Sequence, residues 1–344
     1  FQGAMRLLRE SRARRRAWRI TGRAAAAVSG KRMCGRLTLY AAVGYSTAVE
    51  FTEAAAHALE LASRVSNTFG SVVKPPKDLA RRVDRIPTRL GPYGVDPFGF
   101  DPEYVKRIVG LASWVYHYYF RCQVEGVENI PDGRCLVVAN HSGQLPYDGG
   151  MVTAAAFFER EPPRYLRSML ERFVPKTPFV SVFLARCGQI LGTPENCRRL
   201  LEAGEAILVF PEGVRGLNKP FSERYKLQRF GQGFMRLALE TNTPIVPAAV
   251  IGAEESMPGV ANLESVGKAV GIPAIPVTPF FPLLGPLGLL PLPTRYRIHF
   301  GRPMTFEGDS NDEDEVIMQK VDSVRASIQQ MVDEGLQARE HVFW

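Results

Sequence analysis

Two short segments constrain this chain more than any other feature. Residues 137–149 read Val-Val-Ala-Asn-His-Ser-Gly-Gln-Leu-Pro-Tyr-Asp-Gly, and residues 207–216 read Ile-Leu-Val-Phe-Pro-Glu-Gly-Val-Arg-Gly. In each, an apolar run of strand length stops abruptly in polar, glycine-bearing sequence. That is the pattern of a buried parallel strand whose carboxyl end carries ligand chemistry in an open α/β sheet. His141 near Asp148 offers a base with an orienting carboxylate. Glu212, Gly213 and Arg215 offer a guanidinium and approachable backbone N–H groups to an anion.

The pattern after Gly133 supports this frame. Strands are predicted over 135–140, 164–169, 189–191, 206–210, 244–251 and 295–300. Helices are predicted after Asp148 and over 178–186, 194–203, 231–240 and 311–339. Such alternation predicts an α/β fold, a mostly parallel central sheet flanked by helices. Upstream, Asp101-Pro102-Glu103 reads as an N-cap, a proline at the first helical position and an acid in the first turn, so a helix is expected to about Phe120. Residues 74–102 read as a Pro/Gly-rich linker. Apolar and small residues from Leu37 to Phe69 fall at helical spacing with Glu50, Glu53, Glu60 and Arg64 opposite, which predicts an N-terminal helical extension. Its stripe of Ala and Gly suits docking on another helix or lying on a membrane.

Charge is distributed unevenly. The chain carries a formal +8, yet residues 6–36 hold eleven Lys and Arg against Glu10 alone. A basic arm of this kind suits an anionic lipid surface, a solvated terminus or an organellar transit peptide; without interleaved aromatics it does not suit nucleic acid. Residues 1–3 read as a protease-cleavage scar, 4–73 as the basic arm and long amphipathic helix, and 103–344 as the main domain. No run is long and apolar enough to predict a transmembrane helix. The five cysteines show no CxxC and the five histidines no i, i+4 pair, so neither a disulfide framework nor a metal site is expected. Residues 270–293 are uncharged and carry seven prolines. Such a loop could line an acyl-chain tunnel, rest on a bilayer or complete the core.

His141 stands at a strand end, and Gly143 and Pro146 permit a turn that brings Asp148 back to the ring. The carboxylate would then fix the tautomer and leave Nε2 as a base. The alternative is a histidine bonded to backbone and an aspartate that only caps a helix. After Arg215, the cations Lys219, Arg224, Lys226 and Arg229 suggest an anionic headgroup, or else a solvated face. Cys135 and Cys187 lack a nearby base and read as buried thiols. No GxSxG elbow or phosphate-binding GxxxxGK[ST] loop is present.

Asn140-His141 with Asp148 downstream, then Phe210-Pro211-Glu212-Gly213-Val214-Arg215, then Pro244-Ile245-Val246-Pro247, resembles the glycerolipid (lysophospholipid) acyltransferase superfamily over about 123–304. Within it, the chain resembles the bacterial branch that is similar to mono- and diacylglycerol acyltransferases. The resemblance implies an αβ acyltransferase domain over 103–344 that moves a fatty acyl group to a glycerolipid hydroxyl. The donor would be acyl-CoA or acyl carrier protein, with no bound cofactor, and the enzyme would sit peripherally on the cytoplasmic face of a membrane. Contact would run through the basic arm and the 270–293 loop. His141 would be the base and Asp148 its orienting acid, with Asn140, Glu212, Gly213, Arg215, Lys219 and Arg229 binding substrate. The acceptor would be a lysophospholipid or lysophosphatidic acid. Alternatives are a mono- or diacylglycerol acceptor, a thioesterase in the same site, and a non-catalytic lipid-binding protein. The chain departs from the family pattern twice: six residues rather than four separate His141 from Asp148, and Val214 stands where threonine is common.

Overall fold

The computed structural model describes residues 77–343 apart from 178, 270 and 272, so the basic arm and the helix expected over 37–69 lie outside the described residues. Helices α1 (Lys77–Asp84) and α2 (Pro102–Trp114) lead into the domain, and α2 continues as a π-helical turn over Val115–Tyr119. Asp101 caps α2 by accepting from the Tyr104 N–H at 3.0 Å, with Pro102 in the first turn, where its missing N–H costs nothing. The chain then alternates: β1 (Gln123–Glu125), β2 (Cys135–Ala139), α3 (Tyr147–Phe158), β3 (Leu166–Leu170), α4 (Val180–Arg186), β4 (Ile190–Leu191), α5 (Pro194–Glu202), β5 (Ala206–Val209), α6 (Val214–Leu217), α7 (Gly233–Thr241) and β6 (Ile245–Ile251). An excursion follows with α8 (Ala253–Ser256), β7 (Ala261–Leu263), α9 (Glu264–Ala269) and β8 (Ile275–Val277). Strand β9 (Arg297–Phe300) and α10 (Asp314–Gln337) close the domain.

Seven of these strands form one sheet in the order β1-β9-β6-β2-β5-β3-β4. All neighbours pair in parallel except β6 and β9. This is the α/β architecture with a mostly parallel sheet that the alternation predicts. Strand β2 sits between β5 and β6 and is buried along its whole length. Its side chains alternate between two cores: Leu136 and Val138 face one, and Cys135, Val137 and Ala139 face the other. On the first side α10 lays Ile317, Val321, Val324 and Ile328 along the sheet at helical spacing. Each fully buried aliphatic side chain of this size contributes roughly 1.5–3 kcal/mol. On the second side α3 packs through Val152, Ala155 and Ala156, whose small side chains let the helix approach closely.

Residues 77–102 do not hang free as a linker. Val83 of α1 packs with Phe100, Val105, Val109 and Phe157. The fully buried Arg167 reaches Asp96 and Glu205 at 2.6 Å each. Proline and glycine here shape turns in a strap that a buried ion pair fastens to β3.

Candidate active site

The carboxyl ends of β2 and β5 lie side by side, and the two sequence motifs meet there. Just past β2, Asn140 bonds Val250 as a neighbouring strand would: its Nδ2 donates to the Val250 carbonyl at 3.0 Å and its Oδ1 accepts from the Val250 N–H at 2.7 Å. Both ends of the amide are therefore engaged within the sheet, and Asn140 fixes where β2 stops relative to β6.

His141 follows. Its Nδ1 lies 2.8 Å from Asp148 Oδ2, and the same oxygen accepts from the Ser142 N–H at 2.8 Å. The other carboxylate oxygen accepts from the Gly149 N–H at 2.8 Å. Asp148 is wholly buried in the first turn of α3, so it is a helix residue and not the N-cap. Bonded to two backbone N–H groups, the Asp148 carboxylate is fixed in place and orients the ring, which assigns the proton to Nδ1 and leaves Nε2 as the acceptor. Nε2 has no protein partner among the described residues, and 11% of the side chain is exposed. The Phe210 ring stacks on the imidazole with centroids 4.2 Å apart and planes at 20°.

The two residues beyond the usual family spacing do not separate the pair. Gly143 takes a positive φ of 78°, and a Cβ there would lie 3.0 Å from the Ala253 carbonyl oxygen. Gln144 then turns inward and donates to the carbonyls of Leu217 at 3.3 Å and Lys219 at 3.2 Å. The longer turn is anchored on the segment that leaves α6.

At the end of β5, Glu212 is buried, with Oε1 accepting from the His141 N–H at 2.9 Å and Oε2 from the Gln228 N–H at 2.6 Å. Burial pushes its carboxyl up, opposed by Lys219 and by those two N–H groups. Neither oxygen is left free for an acceptor; the side chain ties the base's backbone to the 228 segment. Gly213 has φ 58° and ψ −148° and opens the short α6. Gly216 has no room for a side chain: a Cβ would lie 2.7 Å from Glu212 Cβ and 3.1 Å from His141 Cβ. Its glycine character serves the approach of α6 to the base.

Lys219 is also turned inward. Its ammonium meets Glu254 at 3.0 Å and the Lys226 carbonyl at 3.1 Å, as a buried charge must be paired to be tolerated. Burial raises the Glu254 carboxyl, with Lys219 opposing. Of the expected cations, Arg215, Arg224, Lys226 and Arg229 remain exposed, and Arg215 donates to the Arg229 carbonyl at 3.2 Å. Arg215, Val214, Asn218 and Gln228 help line an open cleft of about 480 Å³. Sequence reading missed Phe210 as the base's stacking partner, Gln144 as an anchor and Glu254 as the partner of Lys219. Only Phe210, adjacent to the motif, left a signal.

Burial pushes the thiols of Cys135 to about 11 and Cys187 to about 12, which leaves them protonated and poor nucleophiles at neutral pH.

A family model described as Acyltransferase matches residues 121–251. An uncharacterized protein of Mycobacterium tuberculosis is 42% identical over 288 residues, 80% of each chain. The "DGAT1/2-independent enzyme synthesizing storage lipids" of Gallus gallus is 25% identical over 198 residues, covering 56% of this chain and 54% of that protein. A "Probable 1-acyl-sn-glycerol-3-phosphate acyltransferase" of Mycoplasma pneumoniae is 26% identical over 179 residues, covering 49% of this chain and 64% of that protein.

Proposed function

The chain belongs to the glycerolipid acyltransferase superfamily, and we propose that, as an acyltransferase of lipid metabolism acting on glycerolipids, it uses His141 as general base. Nε2 takes the proton of the acceptor hydroxyl as that oxygen attacks the carbonyl carbon of an acyl thioester. The C–O bond forms, the C–S bond breaks, and the imidazolium returns the proton to the departing thiolate. Acyl-CoA or acyl carrier protein supplies the thioester. The acceptor is a lysophospholipid or lysophosphatidic acid, whose phosphate meets the exposed guanidinium of Arg215 with Arg229 beside it. The observation that carries this reading is the 2.8 Å contact between His141 Nδ1 and a buried Asp148, with Nε2 left unbonded among the described residues.

A second reading has its own support. Glu212 and Lys219 are occupied by internal partners, which takes both away from a phosphate, and a relative named for storage-lipid synthesis matches over 198 residues. A neutral mono- or diacylglycerol acceptor fits that arrangement. In either case we place the enzyme at a membrane surface, peripheral and on the cytoplasmic face. Among the described residues no helix is long and apolar enough to cross a membrane.

The deciding experiment incubates purified protein with labelled acyl-CoA and a panel of lysophosphatidic acid, other lysophospholipids, and mono- and diacylglycerols, then separates the lipid products. Acylated lysophospholipid that disappears with His141→Ala is expected. Free fatty acid without acylated lipid would replace transferase by thioesterase, and product from neutral acceptors alone would select the second reading.

A further inference from the structure

Three apolar elements stand exposed near the catalytic edge, and α2 joins them. At one end, Phe179, Val182 and Phe183 of the α4 segment face outward, Phe179 at 58% exposure. Phe183 meets the Tyr104 ring of α2 edge-on at 6.2 Å. Along α2 and its π turn, Leu111, Trp114 and Tyr118 fall on one exposed stripe, Tyr118 at 71%. At the far end Trp114 lies 6.0 Å from the Tyr119 ring, whose hydroxyl donates to the Pro291 carbonyl at 2.5 Å. That carbonyl ends the third element, a proline-stiffened turn that holds out Leu283, Leu284, Leu287 and Leu290, with Leu283 at 84% and Leu287 at 69%.

The face has a definite electrical character. No charged residue occurs between 270 and 294. Arg107, Arg121 and Arg186 border it, and among the described residues none of them is paired with a carboxylate. Arg186 lies over the Tyr104 ring at 5.3 Å, Arg121 bonds only backbone carbonyls, and Arg107 is exposed. The face also touches the site: Tyr147, one residue before Asp148, donates to the Leu289 carbonyl at 3.4 Å.

We propose that this face docks on a lipid leaflet bearing anionic headgroups. Leu283, Leu284 and Leu287 enter the acyl region, Trp114 and Tyr118 sit at headgroup level, and the three arginines meet lipid phosphates. A second copy packed symmetrically here would set one cationic fringe against another. An anionic leaflet satisfies both the leucines and the arginines. The inference rests on the reading that the enzyme draws its acceptor from a bilayer, and it names the residues that hold the enzyme against that bilayer.

The test is co-sedimentation of the full chain with vesicles of phosphatidylcholine containing phosphatidylglycerol, alongside acyl transfer to a short-chain lysophospholipid kept below its micelle concentration. Leu283→Asp/Leu287→Asp, at positions too exposed to support the core, is expected to weaken vesicle binding by at least about tenfold, since a leaflet excludes charge where it accepts leucine. Trp114→Ala is expected to weaken it about threefold. Transfer to the dissolved acceptor is expected to stay within about twofold of the unsubstituted protein, and transfer to vesicle-embedded acceptor to fall with binding. Vesicle binding unchanged in both variants, or absent in the unsubstituted protein, would overturn the proposal. So would a dimer that the double variant splits, or equal loss of transfer to dissolved and embedded acceptor. Failure to acylate any glycerolipid would sink the catalytic reading instead, while vesicle binding would still report on the face.

Discussion

At the end of β2 the side chains of Asn140, His141 and Asp148 are buried and bonded on every polar atom except the outer ring nitrogen. At the end of β5 the guanidinium of Arg215 is exposed and, among the described residues, bonds the Arg229 carbonyl. The difference separates two tasks. A base must meet a hydroxyl at a fixed distance and angle, so its orientation is over-determined in advance. A cation that meets a headgroup gains by staying solvated and mobile until the ligand arrives, because a buried, unpaired guanidinium would carry a desolvation penalty. Part of the second motif serves the first: Glu212 and Gly216, which follow β5, exist to hold and admit the backbone and Cβ of His141.

Substitutions on the two sides should therefore divide cleanly between turnover and acceptor affinity. Asp148→Asn should lower kcat by about a thousandfold, because an amide donor at Nδ1 favours the wrong tautomer, with acceptor KM little changed. Retention of a tenth of the activity would remove Asp148 from the mechanism. Gly216→Ala forces a carbon against Glu212 and His141, and should cost about a hundredfold in kcat together with roughly 1–3 kcal/mol of stability by denaturant titration. Glu212→Gln replaces one accepting oxygen by a donor facing a backbone N–H, and should lower kcat about thirtyfold at constant acceptor KM. A rise in acceptor KM there, without loss of kcat, would mean that this carboxylate faces the acceptor and would erase the contrast. Arg215→Ala should be the mildest, raising KM for a phosphate-bearing acceptor about tenfold while leaving kcat and thermal stability nearly unchanged. If kcat falls instead, the guanidinium acts on the reacting atoms.

What could be read in advance followed local chemistry. The apolar run of β2 ending in Asn-His and the alternation of strand and helix locate His141 at a sheet edge, because strand burial and helical periodicity are encoded within a few residues of each other. Asp148 was legible for the same reason, since the turn between it and His141 is short and carries Gly143 and Pro146. Glu212 and Lys219 were read as facing a ligand, yet their partners are the His141 and Gln228 N–H groups and Glu254, which only tertiary packing brings near. Residues 77–102 were opaque likewise: their proline and glycine content describes turns but not Arg167, the buried guanidinium on β3 that fastens Asp96.

The antiparallel pairing of β9 with β6 has a consequence for how such a molecule can change. Ile251 lies opposite Arg297, so residues 252–296 depart from the sheet and rejoin it at one rim. A detour that leaves and rejoins the sheet at one rim can be lengthened, trimmed or recomposed with no strand sliding past its neighbour. Reaction chemistry stays with the rigid parallel strands, and the leucines held out by the proline-braced turn can be exchanged to suit a different lipid environment.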